Sequence, residues 1–536
     1  MSGKKLLAII AIMSLAIFLR FWMIWEIPPG LYPDEAMNGN NATEALSSGE
    51  FKAFYPDNNG REGLFINIQA FSISMFGHEP WALRIVSAIF GTLTVLGLFF
   101  LARAMFYNSP DRDRISLLAS FFLATSFWHV NFSRIGFRAI MAPFFLVWGL
   151  YFLFRIYKDI GTSKTQIISA AAGGLLFGLG FHSYIAYRIL PLLMIFPIVR
   201  GWKKERRDTC SPCLSLIYVL FVLIAVIPLG LYFSEHPDDI LGRTSQISIF
   251  SSDSPVQQLL INSAKTVGMF WFYGDFNWRH NYSGSPQLSL VVGILFFIGI
   301  LVSLRSIKKF SSWFLFIFFA LSLLPVVISS EGLPHALRSI ISIIPAVILS
   351  SVGMNYLINL ISVWIAKKRD QFPKYANQLL RIKREMLFLL ALLLVSISTD
   401  TYDKYFNNWS QNGEVYAAFA ARDWEMAMYL KSLPDEVNKY VVITGERLDG
   451  RIVSISSQSV LYGTNTFLPE ERTRKNYHYV TPDGLEKAFE DSLPEKAVIV
   501  FLNTENKGEI SYMLKKYKDM KITVHGAFIA LSLTSI

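Results

Sequence analysis

Apolar runs long enough to cross a lipid bilayer recur along this chain from residue 6 to about residue 400. A spanning α-helix needs about 20 mostly apolar residues. In lipid every backbone polar group must be satisfied within the segment, so these runs have to be helices packed as a bundle. They fall near 6–25, 80–107, 115–132, 139–157, 166–183, 187–199, 214–233, 287–304, 311–329, 338–366 and 385–400, about 11 spans, of which 187–199 is short. The first run lacks a small-residue cleavage site and reads as a retained helix. Of 536 residues, 52% are hydrophobic and 17% charged, which is too little charge for a soluble chain of this length. The 44 Phe, 23 Tyr and 12 Trp suit a lipid-facing surface with aromatic belts.

The net charge of +10 could indicate nucleic acid, but its distribution argues otherwise. Lys4-Lys5, Arg103/Arg112/Arg114, Lys158/Lys164, Arg200 to Arg207, Arg305/Lys308/Lys309 and Lys367 to Arg384 fall on one side of the eleven-span layout. By the positive-inside rule that side is cytoplasmic. The basic residues therefore orient the chain, and nucleic acid is set aside as a partner. The N-terminus is expected inside. The 26–79 loop, the 234–286 loop and the tail after residue 400 are expected outside.

The tail changes character. Short apolar bursts at Tyr440–Thr444, Ala497–Leu502 and Ala527–Leu531 alternate with helix-like stretches at 418–431 and 508–517. This predicts a small α/β domain. The expected fold is mainly α, a polytopic membrane helical bundle with a C-terminal extracytoplasmic α/β domain. Residues 1–400 form the membrane domain and 401–536 the soluble one. No internal repeat or low-complexity segment is evident.

Polar clusters gather at the outer ends of the predicted helices. The first outer loop holds Asp34-Glu35 and Asn58-Asn59-Gly60-Arg61-Glu62. Later turns carry Ser133 to Arg138, then His182, Tyr184 and Arg188, then Asp275, Arg279 and His280, and finally Glu331, His335 and Arg338. Carboxylates near a bilayer are costly and call for a reason. A positioned carboxylate can take the proton of an attacking hydroxyl. Arginines placed against the positive-inside bias call for an anion, and the natural anion at headgroup depth is a phosphate. These parts describe a transferase that moves a group from a lipid phosphate to an acceptor outside.

The chain resembles the C-type glycosyltransferases, and among them the family-39 protein mannosyltransferase-like enzymes. The resemblance rests on Asp34-Glu35, on Phe76 to Gly91, on Ser133 to Arg138 and on the layout, and covers about residues 1–350. It implies a polyprenyl-phosphate sugar donor, a mannose-like hexose, Asp34 as catalytic base and Glu35 as its companion. The acceptor would be a protein, a lipid or a glycan. Inversion is the expected outcome of a single displacement. Arg138, Arg188, Arg279 and Arg338 are candidates for the donor phosphate. Many relatives carry a second acid in the first loop, followed by a basic residue and prolines. Here Arg61 precedes Glu62 and the prolines are absent, which leaves the acceptor and metal dependence open. The cofactor is unknown. If a divalent metal takes part, Glu62 is the first ligand candidate, then Asp275 and Glu331.

Plainer readings stand beside these. Asp34-Glu35 could cap a loop helix, and Glu62 could pair with Arg61 on a solvated loop. Each arginine could snorkel to headgroups. His182, His280 and His335 could be satisfied interfacial histidines, although a shared His/Asp/Glu metal site is compatible with their loops. Cys210 and Cys213 supply only half a four-cysteine zinc site, so a structural or incidental role is expected. Four short N-glycosylation patterns carry little weight. A transporter or flippase of a lipid-linked or anionic substrate is the main rival function. Against it, the polar clusters lie at helix ends and no paired repeat is seen.

Overall fold

The structure, a computed structural model, describes residues 3–157, 162–202, 210–240, 249–251, 254–330, 332–443, 454–491, 494–502 and 507–533. The chain divides into two compact units, one of Met1–Trp22 with Ser87–Trp409 and one of Met23–Val86 with Ser410–Ile536.

The first unit is a helical bundle. Among the described residues, seven helical segments are long and apolar enough to cross a membrane: Pro80–Met105, Arg138–Ile156, Ser163–His182, Ile185–Trp202, Ser211–Glu235, Phe310–Val327 and Ile340–Gln371. The remaining predicted runs are helical too, as Gly3–Phe21, Arg112–Ala124 with Phe127–Phe132, Leu290–Arg305 and Ala376–Tyr402. The protein is thus a multi-pass membrane protein.

Lipid contact explains a surface that water would not tolerate. The Ser211–Glu235 helix leaves Leu216, Leu220, Leu223, Ile224, Ile227 and Leu231 exposed. Its inward side packs on small residues of the Ser163–Leu179 helix. A Cβ added to Gly174 would lie 2.1 Å from the Tyr218 carbonyl oxygen, and one added to Gly178 would lie 2.6 Å from that of Val222. The Leu290–Arg305 and Ile343–Gln371 helices cross in the same way, with Gly299 against Leu349 and Gly353 against Leu295. Cys210 and Cys213 are joined by a disulfide at the start of the Ser211–Glu235 helix.

The second unit is α/β. Strands β1 (Phe54–Tyr55) and β2 (Arg61–Glu62) form an antiparallel hairpin. Its turn runs through Asn58, Asn59 and Gly60, all at positive φ, a region that Asn and Gly enter at least cost. Strands β3 (Asn438–Val442), β4 (Tyr477–Val480), β5 (Ala497–Phe501), β6 (Met520–His525) and β7 (Phe528–Leu533) form a mixed sheet in the order β4-β3-β5-β7-β6. The β3 strand is parallel to β4 and β5, whereas β7 is antiparallel to β5 and β6.

Alternation along the strands builds two cores. Val441, Val498, Val500 and Ala530 pack with Met426, Leu430, Val460 and Leu461 from helices Ala421–Ser432 and Gln458–Thr464. Tyr440, Val442, Ile499, Phe501 and Leu531 pack with Leu485, Phe489 and Met513 from helices Pro482–Asp491 and Lys507–Lys516. A third cluster joins the early and late segments of this unit, with Leu31, Ala36, Ile66 and Leu83 packed around Tyr462.

Candidate functional site

The acidic pair lies in the first turn of the Pro33–Ser48 helix, in the second unit. Negative charge is favoured there by the helix dipole. The helix is poor in apolar residues yet mostly buried, so its amides must find partners. Residues 34, 38 and 41 share one helical face. Each meets the β1–β2 hairpin. Asn58 donates its side-chain amide to Asp34 Oδ1 at 2.9 Å. Arg61 donates from Nη1 to Asn38 Oδ1 at 2.7 Å and from Nη2 to Asn41 Oδ1 at 2.5 Å. Asn40, on another face, donates to the Gln458 side chain at 2.8 Å. Glu62 is buried in β2 opposite Phe54 rather than on a solvated loop.

The two acids of the pair have different surroundings. Glu35 is fully buried and accepts from Arg84 Nε at 3.0 Å and Nη2 at 3.1 Å. Arg84 also donates to the carbonyl oxygens of Pro28 at 2.6 Å and Gly30 at 2.8 Å. Glu35 further accepts from the Tyr32 backbone N–H at 3.4 Å, the reach-back half of a capping box. It therefore secures the turn that enters the helix. Asp34 is half-buried and, among the described residues, its carboxylate takes one hydrogen bond, from Asn58.

In the first unit the structure brings together Asp275, His280 and His335, whose donor atoms all lie within 4.8 Å of one another. His280 Nδ1 is 3.0 Å from Asp275 Oδ2 and His335 Nδ1 is 3.8 Å from it. Backbone N–H groups of Ala336 and Asn277 donate to Asp275, each at 2.8 Å. Burial alone would raise the Asp275 carboxyl, but hydrogen bonding and charge from His280, with help from His335 and Asn277, hold it below the usual range. The His280 ring lies against Phe132 and Phe137, with centroids at 5.7 and 6.3 Å.

The other predicted residues of this unit occupy separate settings. Arg138 stacks over the Tyr184 ring at 5.9 Å. Arg188 donates to the Ile240 carbonyl oxygen at 2.8 Å and lies over Phe233. Arg279 contacts the Asn277 side chain at 3.2 Å. Arg338 is buried and donates to the Ser329 hydroxyl. His182 is buried, with Nε2 2.7 Å from the Ala225 carbonyl oxygen, the satisfied state of its plainer reading. Glu331 lies outside the described residues. A cavity of about 980 Å³, lined by Arg200, Lys308, Lys309, Asn355 and Asn359 among others, contains none of the predicted site residues.

Reading the residues one by one missed Arg84, Asn38 and Asn41. The i, i+4, i+7 spacing of Asp34, Asn38 and Asn41 was a usable signal for one polar helical face. Nothing local announced that Arg84 would meet Glu35, 49 positions away.

Comparison with known proteins agrees with this architecture. Residues 64–232 match the family described as dolichyl-phosphate-mannose-protein mannosyltransferase, a stretch that begins after the acidic pair. YkcB of Bacillus subtilis (strain 168), a protein named for mannosyltransferase activity, is 27% identical over 161 residues, which are 30% of this chain and 20% of that protein. Among solved structures, ArnT from Cupriavidus metallidurans in the apo state superimposes with a TM-score of 0.58 at 12% identity, covering 98% of both chains. The same ArnT bound to undecaprenyl phosphate gives 0.56 at 14% identity, again covering 98% of both. The oligosaccharyltransferase of Archaeoglobus fulgidus tethered to an acceptor peptide gives 0.50 at 14% identity, covering 92% of this chain and 68% of that one. The chain thus shares its fold with ArnT and with that oligosaccharyltransferase.

Proposed function

We propose that this protein transfers a sugar, a mannose-like hexose, from a polyprenyl-phosphate donor to an acceptor hydroxyl outside the membrane, with inversion. The observation that carries the reading is the division of labour within Asp34-Glu35. The Glu35 carboxylate is committed to Arg84, while that of Asp34 is half-buried and held by one amide. A base needs a carboxylate positioned yet open to its substrate, and Asp34 meets both requirements. Glu35 acts as a positioning residue for it. The fold shared with an ArnT bound to undecaprenyl phosphate supports a lipid-phosphate donor.

In the proposed step the acceptor O–H proton passes to Asp34. The acceptor oxygen bonds the anomeric carbon, and the bond from that carbon to the phosphate oxygen breaks. Polyprenyl phosphate leaves with the bonding electron pair. Arg138, Arg188, Arg279 and Arg338 are the candidates to bind that phosphate and stabilise its growing charge. The chain would cross the membrane eleven times, with a cytoplasmic N-terminus and residues 401–536 outside.

The test is transfer from radiolabelled polyprenyl-phosphate sugars by purified protein in detergent, with a membrane extract as acceptor. Asp34→Asn should keep its melting temperature and lose at least about 100-fold in rate, the smaller end of what a general base contributes. Near-normal transfer by that variant removes Asp34 from the base role. Absence of transfer from every donor by the folded unmutated protein removes the transferase reading.

A further inference from the structure

Two histidines and an aspartate from separate loops converge in the first unit, and the transfer step proposed above uses none of them. Asp275 and His280 belong to the 269–289 segment, and His335 begins the turn that leads into Ile340–Ser342. Asp275 is 5% and His280 6% exposed, and the His335 side chain 16%. Both imidazoles face the same carboxylate oxygen, at 3.0 and 3.8 Å, and their centroids are 5.0 Å apart.

We propose that Asp275, His280 and His335 bind a divalent transition-metal ion of the zinc class. Two imidazoles and one carboxylate form a ligand set suited to zinc, with a fourth position left for water or another oxygen. Donors around a tetrahedral ion with bonds of about 2.0–2.2 Å lie about 3.3–3.6 Å apart. The observed 3.0 and 3.8 Å straddle that spacing, and all three separations are within 4.8 Å, so a small imidazole rotation closes the set.

The protein already supplies the outer contacts such a site needs. Ala336 and Asn277 N–H groups orient the carboxylate, and Phe132 and Phe137 line the His280 ring. At His335, Nδ1 accepts a long 3.4 Å contact from the Arg338 N–H, which metal binding can displace. Both imidazoles would ligate as neutral donors, with the remaining ring N–H of each pointing away from the ion. The ion would clip the 275–281 and 335–338 segments together.

The experiment needs no sugar donor. Full-length protein in detergent is stripped with a chelator, dialysed against Zn²⁺ and passed through gel filtration. Metal per chain is measured by mass spectrometry. One zinc per chain is expected. His335→Ala and the pair His280→Ala with His335→Ala should retain none, while eluting at the unmutated volume without metal. His335→Ala is the key variant because its imidazole makes no hydrogen bond to Asp275, so the His280–Asp275 contact survives. Zinc absent from the unmutated protein, or retained equally by the His335→Ala variant, overturns the site. A His335→Ala variant that melts earlier in metal-free buffer while the unmutated protein binds no zinc assigns the cluster a purely structural role and likewise overturns it.

Discussion

At the scale of single residues the pairing of Glu35 with Arg84 carries a clear cost. Both side chains are almost wholly removed from solvent. Removing one partner of a buried pair leaves an uncompensated charge, which typically costs about 3–5 kcal/mol. Glu35→Gln should therefore lower the melting temperature sharply, whereas Glu35→Met combined with Arg84→Met should recover much of the loss. A Glu35→Gln variant that melts like the unmutated protein would contradict the pairing. His78 gives a pH signature. Burial, with the charges of Lys431 and Lys475, lowers its pKa from 6.5 to about 4, and Glu471 opposes this only partly. The unfolded chain then binds a proton between pH 6.5 and about 4 that the folded chain refuses. Stability should fall as pH drops through that window and stay level above it. Melting scans from pH 8 to 4 should show the fall flattened in His78→Asn. Asp34 and Glu35 were visible in the sequence as an acidic pair near a membrane. Their opposite environments were not, because Arg84 and Asn58 reach them only through the folded chain.

At the scale of elements, sequence patterning located the strong pieces. The apolar bursts at 440–444, 497–502 and 527–531 overlap β3, β5 and β7, the three inner strands. An inner strand buries both faces, so its apolar run is continuous and easy to read. The edge strands β4 and β6 went unread for the opposite reason. The β6 strand exposes Lys521, Ile522, Thr523 and Val524, and β4 alternates buried Tyr477 and Tyr479 with half-buried His478 and Val480. The 418–431 stretch forms the helix Ala421–Ser432, which Ala420 in a left-handed conformation separates from the preceding Gly413–Ala418 helix. The extent of the Pro33–Ser48 helix, inside the segment expected as the first outer loop, is hidden because its buried Asn side chains interrupt the apolar period. Helix crossings give a direct test. Gly299→Ala would place a methyl 1.8 Å from the Leu349 carbonyl oxygen, so it should cost at least the roughly 1–3 kcal/mol of overpacking. Gly230→Ala meets nothing within 4 Å and should be neutral or stabilising by up to about 1 kcal/mol. Thermal unfolding in detergent separates the two.

At the scale of the whole molecule, the charge pattern predicts orientation. With Cys210 and Cys213 replaced by Ser, Gly413→Cys should react with a membrane-impermeant thiol reagent on intact cells. Lys308→Cys should react only after permeabilisation. The reverse labelling would invert the topology. The multi-pass helical character and the α/β nature of the tail followed from the sequence alone, because solvation by lipid imposes about 20 apolar residues per crossing whatever the neighbours are. Each such run meets that demand within itself. What only the tertiary structure decided is which distant groups become partners. The first loop and the tail share one compact unit through Leu31, Tyr462, Asn40 and Gln458, and Asp275 meets His335 across 60 residues. Hydrogen bonds and ion pairs act over a few ångströms, so polar side chains carry no period that reveals their partners until packing brings them within reach.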